Sequence, residues 1–427
     1  MRKVNIKTLG CKVNQSESAS LEAILKDNNY EIVDNESEAD ICVVNTCTVT
    51  AKSDYQSRQF IRRSARAGAK VIATGCYAQT RPEELSVLEG IELVVGNSEK
   101  DSLLSHINNL ARDVTVASSD GEIEKGKLSQ KPYHSGRSRA FLKLQDGCDF
   151  SCSYCTVPKA RGSSRSLPAV EVMDAFENLQ RDGYREVVIT GIHIGSYGKD
   201  LIPEVSLIDI VKEAALRFPD IRIRLSSIEP QEFDDEFLSL IQQGRVCPHL
   251  HIPLQSGSDR ILRLMNRGYN TYEYKQLINK IITVCPDISI GTDLITGFPG
   301  ESEQDFTDTV NYLRQIPFTY FHVFPYSKRP DTAAENMDGQ ISGTLKKERV
   351  KKLRHISDEF KKIYILKQLG RQLNVIVEYN NDNNMYNNAL SENYLKISLK
   401  SKGLKPGKLV PVMIKSITDT MIIGEPL

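Results

Sequence analysis

Near the N-terminus, short apolar runs rich in β-branched residues alternate with longer amphipathic stretches. Three runs, Val4-Asn-Ile-Lys-Thr-Leu-Gly-Cys11, Ile41-Cys-Val-Val-Asn-Thr-Cys47 and Val71-Ile-Ala-Thr-Gly-Cys76, each close on a cysteine. β-Branched content followed by turn residues predicts strands, and helical periodicity predicts helices over 15–28 and 51–67. Alternating strand and helix implies a parallel α/β layer of the Rossmann or flavodoxin type. Ligands of such sheets gather beyond the carboxyl ends of the strands. Cys11, Cys47 and Cys76 stand at those ends and are expected to converge on a metal centre. Cys42 lies mid-strand, and Cys247 and Cys285 directly precede prolines; these three read as structural thiols.

Residues 113–139 are polar, rich in Ser, Gly and Lys, and read as a linker. From 140 the alternation resumes. Strands are expected over 140–144, 186–190, 221–226, 250–254, 289–295 and 320–324, with helical patterns over 169–181, 207–217, 234–242, 259–265, 272–284 and 303–315. About six βα units describe an incomplete TIM-like barrel, whose chemistry belongs in the loops after the strands. Beyond 370 the pattern changes to short strands over 373–378, 394–399, 409–417 and 421–423, with an Asn-rich turn at 380–388, as in a small all-β barrel. The chain thus divides into an α/β domain (1–112), a linker (113–139), a partial barrel (140–343), a helical connection (344–369) and a β-barrel (370–427).

The loop after the first barrel strand holds Cys148-Asp-Phe-Ser-Cys152-Ser-Tyr-Cys155. A closed iron–sulfur cube takes four cysteines; three leave one iron open, much as a catalytic zinc keeps one position free. An open iron can chelate the amino and carboxylate groups of S-adenosylmethionine (SAM), whose reductive cleavage releases a 5′-deoxyadenosyl radical. A zinc knuckle would want a fourth Cys or His nearby, and His134 and His193 are distant in sequence. Loop residues expected to hold SAM are Tyr154 in the cysteine loop, Gly191 after the second strand, Ser226 and Ser227 after the third, Gln255 and Ser256 after the fourth, and Gly297 after the fifth. His193 and His251 read as hydrogen-bonded core histidines, and no protein acid or base is assigned a catalytic part.

Lys+Arg and Asp+Glu balance at 55 each, so any affinity for nucleic acid must be local. Residues 345–371 supply such a region, with ten Lys/Arg against three acids. Leu353, Ile356, Phe360, Ile363 and Tyr364 form an apolar stripe that would bury against the body. Lys347, Lys351, Lys352 and Arg354 would then face outward, to solvent or to RNA phosphates. No apolar run is long enough to span a bilayer, the N-terminus lacks a signal-peptide core, and a cytoplasmic location that keeps thiols reduced is expected.

Taken together, the two cysteine sets resemble those of the radical-SAM methylthiotransferases, and the resemblance runs along essentially the whole chain. It includes Thr8-Leu-Gly-Cys-Lys-Val-Asn-Gln15, Asn45-Thr-Cys-Thr-Val49, Thr74-Gly-Cys-Tyr-Ala78, Leu225-Ser-Ser-Ile-Glu-Pro230, His251-Ile-Pro-Leu-Gln-Ser-Gly257 and Thr292-Asp-Leu-Ile-Thr-Gly-Phe-Pro-Gly300. Asn393-Tyr-Leu-Lys396 and Gly407-Lys-Leu-Val410 resemble the RNA-binding TRAM module, although the Asn-rich loop departs from its usual glycine-containing pattern. Gly10-Cys-Lys-Val-Asn-Gln-Ser-Glu17 and Gly191-Ile-His-Ile-Gly-Ser-Tyr197 look most like the branch acting on N6-threonylcarbamoyladenosine. The resemblance implies two [4Fe–4S] clusters, two SAM per turnover, and methylthiolation of adenosine 37 at C2. The implied partners are a tRNA anticodon stem-loop, an electron donor and a sulfur donor. Isopentenyladenosine in tRNA, a ribosomal-protein side chain, or RNA binding with purely structural clusters are the alternatives.

Overall fold

The computed structural model describes residues 1–109, 115–117 (backbone), 138–378, 387–401, 403–418 and 421–427. The N-terminal sheet is parallel and six-stranded, in the order Glu31–Ile32, Lys3–Thr8, Ile41–Thr46, Lys70–Gly75, Ile91–Val95, Thr115–Ala117. Its three cysteine-bearing strands are immediate neighbours, so their carboxyl ends share one edge. Ile41–Thr46 is buried along its whole length, as expected of a central parallel strand. The last strand, Thr115–Ala117, falls in a stretch whose polarity had suggested only a linker. Three residues pairing at a sheet edge leave no periodic trace.

Six parallel strands form the second unit. Ala140–Lys143, Glu186–Thr190 and Arg222–Leu225 make one three-stranded sheet, and His249–His251, Ser289–Thr296 and Tyr320–Pro325 another. Parallel bridges Ile223↔Val246 and Ser227↔His251 join the two into one open half-barrel. Because side chains alternate along a strand, each strand has one helix-facing set. Val187, Ile189, Ile223, Leu225, Leu250, Ile290, Leu294, Phe321 and Val323 enter the large outer core. The intervening residues, Glu186, Arg222, Arg224, His249, His251, Asp293, Tyr320 and His322, therefore line the inner face. Glu186, Arg222, Arg224 and His249 are buried there, whereas Asp293 and His322 remain open to solvent.

Helix Gly343–Leu366 lies along strand Tyr320–Pro325, where Ser357 Oγ accepts from Phe321 N at 2.7 Å. Leu353, Ile356 and Tyr364 are buried, as the stripe predicts, Phe360 is partly buried, and Val350 joins them. Ile363 is not: it is 54% exposed, while Tyr364 and Ile365 beside it turn to the core of the C-terminal barrel. The C-terminal barrel is closed by five strands, Gln372–Val377, Asn387–Ser391, Lys396–Leu399, Ile422–Pro426 and Leu409–Ile417. Asn387–Ser391, part of which had read as a turn, is the strand the sequence pattern missed. Two asparagines at its start masked a buried Ala389-Leu390-Ser391 end. Among the described residues no helix is long and apolar enough to cross a membrane.

Candidate functional site

Cys11 caps helix Lys12–Asp27, Cys47 directly follows strand Ile41–Thr46, and Cys76 opens helix Cys76–Thr80. Gly10 adopts φ +90, and a Cβ there would stand 2.7 Å from Cys47 Cβ and Sγ. Only glycine lets the first loop turn this close to the second thiol. Asn14 Oδ1 lies 4.0 Å from Cys11 Sγ, and Asn97 Nδ2 3.8 Å from Cys76 Sγ. Burial, then the neighbouring Cys76, push the Cys47 thiol up to about 12. Clustered thiols of this kind need a cation before they can ionise together.

The second set is fixed by backbone. Cys148 N donates to Gly162 O at 3.1 Å and Cys155 N to Cys152 O at 3.0 Å, while Ser153 Oγ anchors the loop to Leu264 O at 2.7 Å. Burial drives Cys155 up to about 12, with Cys152 and Cys148 adding to it. Arg267 Nη1 donates to Cys152 Sγ at 3.3 Å while pairing with Glu229. His193, distant in sequence, has Nδ1 3.8 Å from Cys148 Sγ and Nε2 2.5 Å from Glu232 Oε2. Burial opposes its charge, but Cys148 and Glu232 carry it up to about 9. The sequence reads His193 as a core histidine and gives Arg267 no part, because nothing local ties either to the cysteine loop. Arg267 donates to one sulfur and His193 faces another, as partners of a metal centre's ligands do.

The donor set can be tested for what it would hold. Among the described residues, only His251, Asp293 and His322 bring three ligand atoms all within 4.8 Å of one another; neither cysteine triad does. At a Zn–S distance of about 2.3 Å, one ion cannot reach three thiols spread more widely. A larger inorganic centre can, so both triads fit a cluster better than zinc.

The SAM candidates surround the second set unevenly. Ser226 is buried with its hydroxyl unpartnered, and Ser227 Oγ sits 2.8 Å from His251 Nδ1. Gly191 packs so tightly that a Cβ would lie 2.9 Å from Gln145 O. Gln255 holds φ +67, a strained setting for a non-glycine residue at a strand end. Gly297 N donates to Glu301 Oε2 at 2.7 Å, and its missing side chain leaves room for Lys346. Tyr154 is half-buried edge-on to Phe298, with ring centroids 6.5 Å apart. The Ser256 hydroxyl is taken up by Ser258 N at 3.2 Å and Thr309 at 3.4 Å, so it braces the loop.

Between the two sets runs a buried ion network that no motif announced. Arg161, 1% exposed, donates to Glu17 at 2.8 Å, to Asp146 at 2.9 Å and to Asn14 Oδ1 at 2.6 Å. Lys143 bridges Glu17 and Asp146 at 3.0 and 3.1 Å, and Lys100 also pairs with Glu17. Arg165 stands 3.9 Å from Asp146, so four cations face two carboxylates. Glu17 belongs to the N-terminal domain and Asp146 and Arg161 to the barrel, so the network fixes the two cysteine sets relative to each other.

The C-terminal barrel docks under the lumen. Arg222 and Arg224 share Glu186 and donate to Asn374 O and Glu392 O at 2.9 Å and to Ser391 O at 3.0 Å. On the connecting helix Lys347, Lys351, Lys352 and Arg354 are exposed. Arg349 is buried on Glu301 and Glu303 and takes no part in the outer basic face.

Residues 142–313 match the model of the Radical SAM superfamily, and residues 3–96 that of "Uncharacterized protein family UPF0004". The threonylcarbamoyladenosine tRNA methylthiotransferase MtaB of Aquifex aeolicus is 40% identical over 422 residues, covering 96% of this chain and 100% of that protein. The Bacillus subtilis protein of the same name is 36% identical over 425 residues, covering 97% and 94%. Among solved structures, the radical SAM methyltransferase TsrM from Kitasatospora setae shares the fold at a TM-score of 0.58 and 16% identity, over 78% of this chain and 75% of that one. Identity of this extent along nearly the whole chain, over a barrel and an N-terminal sheet that each gather three cysteines, means that the protein belongs to the radical-SAM methylthiotransferase family.

Proposed function

We propose that the protein methylthiolates C2 of N6-threonylcarbamoyladenosine at position 37 of tRNA, consuming two SAM and using two [4Fe–4S] clusters. The observation that carries this reading is the presence of two convergent three-cysteine sets, Cys148/Cys152/Cys155 and Cys11/Cys47/Cys76, locked together by the Arg161 network. The relatives' names supply the substrate.

Family membership makes the chain an enzyme that uses SAM and a [4Fe–4S] cluster. When bound, the barrel cluster supplies one-electron cleavage of SAM, and the N-terminal cluster holds the sulfur to be methylated and transferred. The chain's own residues position and shield. Arg267 directs an N–H group at Cys152, and His193 sets its ring nitrogen beside Cys148. Ser226, Gly191 and Gln255 offer polar and close-approach positions for SAM at the strand ends. Lys347, Lys351, Lys352 and Arg354 extend a basic face toward the RNA backbone, beside a closed β-barrel of the TRAM kind. A reductant and a sulfur donor complete the partners.

An isopentenyl group would favour an apolar pocket, whereas the inner wall carries His251, Asp293 and His322. Mass spectrometry of tRNA nucleosides from cells with and without the protein tests the reading. Loss of 2-methylthio-N6-threonylcarbamoyladenosine, with its unmethylthiolated precursor accumulating, is expected. Loss of the isopentenyl product instead, or an unchanged profile, rejects it.

A further inference from the structure

The inner wall of the half-barrel carries a feature that cluster and SAM binding do not use. Lys12, the residue after Cys11, sends its ammonium from the N-terminal domain into the lumen. It lies 5.9 Å from the centre of the Tyr394 ring, while Arg224 Cζ lies 5.2 Å from the same ring. Two cations therefore flank one ring. Among the described residues Lys12 has no hydrogen bond and no ion pair. The inner-wall carboxylate Glu186 is shared by Arg222, Arg224 and Arg139, the last at 3.7 Å and also paired with Glu378 at 3.1 Å. Counting Asp293, four fixed cations meet three carboxylates, so the wall is short of one negative charge.

Beside it stands a set of unused polar groups. The buried His251 has Nδ1 held by Ser227 Oγ at 2.8 Å. Its Nε2 lies 3.2 Å from Asp293 Oδ1 but without the alignment of a hydrogen bond, so it is unpartnered. Asp293 keeps 26% of its side chain exposed, and His322 is open to the lumen. The His251, Asp293 and His322 ligand atoms are close enough to clasp a divalent cation. Lys12 and Arg224, however, repel a cation and attract an anion.

A ligand matching this wall carries one carboxylate and a hydroxyl close to it. The threonylcarbamoyl group has both, whereas an isopentenyl group has neither. Resting on the function proposed above, we propose that Lys12, with His251, Asp293 and His322, is the subsite that recognises the carboxylate and hydroxyl of the amino-acid group on the substrate adenine. Lys12 supplies the missing counter-charge, the imidazoles and Asp293 meet the hydroxyl, and the stacked His249 and Tyr394 rings, 4.3 Å apart, form a rigid floor.

The test uses the reconstituted holoenzyme and anticodon stem-loops carrying, at the target position, adenosine, its N6-threonylcarbamoyl derivative, or the methyl ester of that derivative. A charged hydrogen bond predicts that the acid binds about ten- to a hundredfold more tightly than the ester. This arm involves no variant, so misfolding cannot mimic it. Lys12→Met should abolish the preference for acid over ester while leaving binding of the unmodified loop unchanged, and Lys12→Arg should keep part of it; iron and sulfide content checks that the variants load. Equal binding of acid and ester overturns the subsite even if the wild type methylthiolates the acid normally. Equal weakening of all three loops by Lys12→Met reassigns the lysine to a phosphate and also overturns it. A preference lost on dialysis against a chelator with both clusters intact would assign the wall to a cation and overturn it too. Failure of the wild type to methylthiolate the acid loop, by contrast, refutes the proposed function itself.

Discussion

Replacing Arg161 with methionine puts the link between the two cysteine sets to the test. The guanidinium makes hydrogen bonds to Glu17 at 2.8 and 3.3 Å, to Asp146 at 2.9 and 3.0 Å, and to Asn14 at 2.6 Å. Breaking a buried pair by removing one partner costs about 3–5 kcal/mol. Lys100, Lys143 and Arg165 remain beside Glu17 and Asp146, so neither carboxylate is left without a counter-charge and the lower end, about 3 kcal/mol, is expected. With a urea slope of about 3 kcal/mol/M, the upper end for a domain, the midpoint should fall by about 1 M. Anaerobic urea unfolding of the holoprotein followed by circular dichroism reads this directly. Glu17→Gln in the same background supplies the second corner of a cycle. If the two side chains act as one network, the double variant loses at least about 0.5 kcal/mol less than the sum of the single losses. An unmoved midpoint, or simple additivity, would refute the idea that this network joins the domains. A methylthiolation rate that falls further than SAM cleavage would support the joining role, because only the combined reaction needs both sites in register.

Three shorter predictions rest on other parts of the molecule. Cys11→Ala should leave reductive SAM cleavage to 5′-deoxyadenosine intact, abolish the methylthio product, and lower iron from about eight to about four per chain, at four per cube; loss of cleavage would argue against separate roles. Charge reversal at Lys351 and Lys352 should weaken tRNA binding and flatten its logarithmic salt dependence by about two, and an unchanged slope would remove this face from the interface. Against the cost of burial, Arg224 and Arg222 hold Glu186 down to about 2, from an ordinary 4.5. Its stabilisation is therefore complete above about pH 4.5 and is lost as the pH falls toward 2; thermal unfolding across that window should show a pH slope that Glu186→Gln flattens, and equal slopes would exclude the pair.

The sequence by itself determined the elements and where the reactive thiols lie along them. Periodicity of two and of 3.6 is local, and a cysteine at the tip of a strand is local, so Cys11, Cys47, Cys76 and the Cys148 loop were legible one segment at a time. The parallel order followed from alternation alone. Missed for want of a local signature were the edge strand Thr115–Ala117, the strand Asn387–Ser391 and the outward turn of Ile363; Ile91–Val95, an apolar β-branched run that ends on no cysteine, was passed over as well. Only the tertiary structure decided which distant residues share a space. His193 reaches Cys148 across 45 positions and Arg161 reaches Glu17 across 144. Lys12 meets Arg224 over a ring supplied by the C-terminal barrel. Charge pairing and pocket chemistry depend on separation in space, and a chain that returns six times through one barrel wall brings together residues whose order in sequence gives no sign of it.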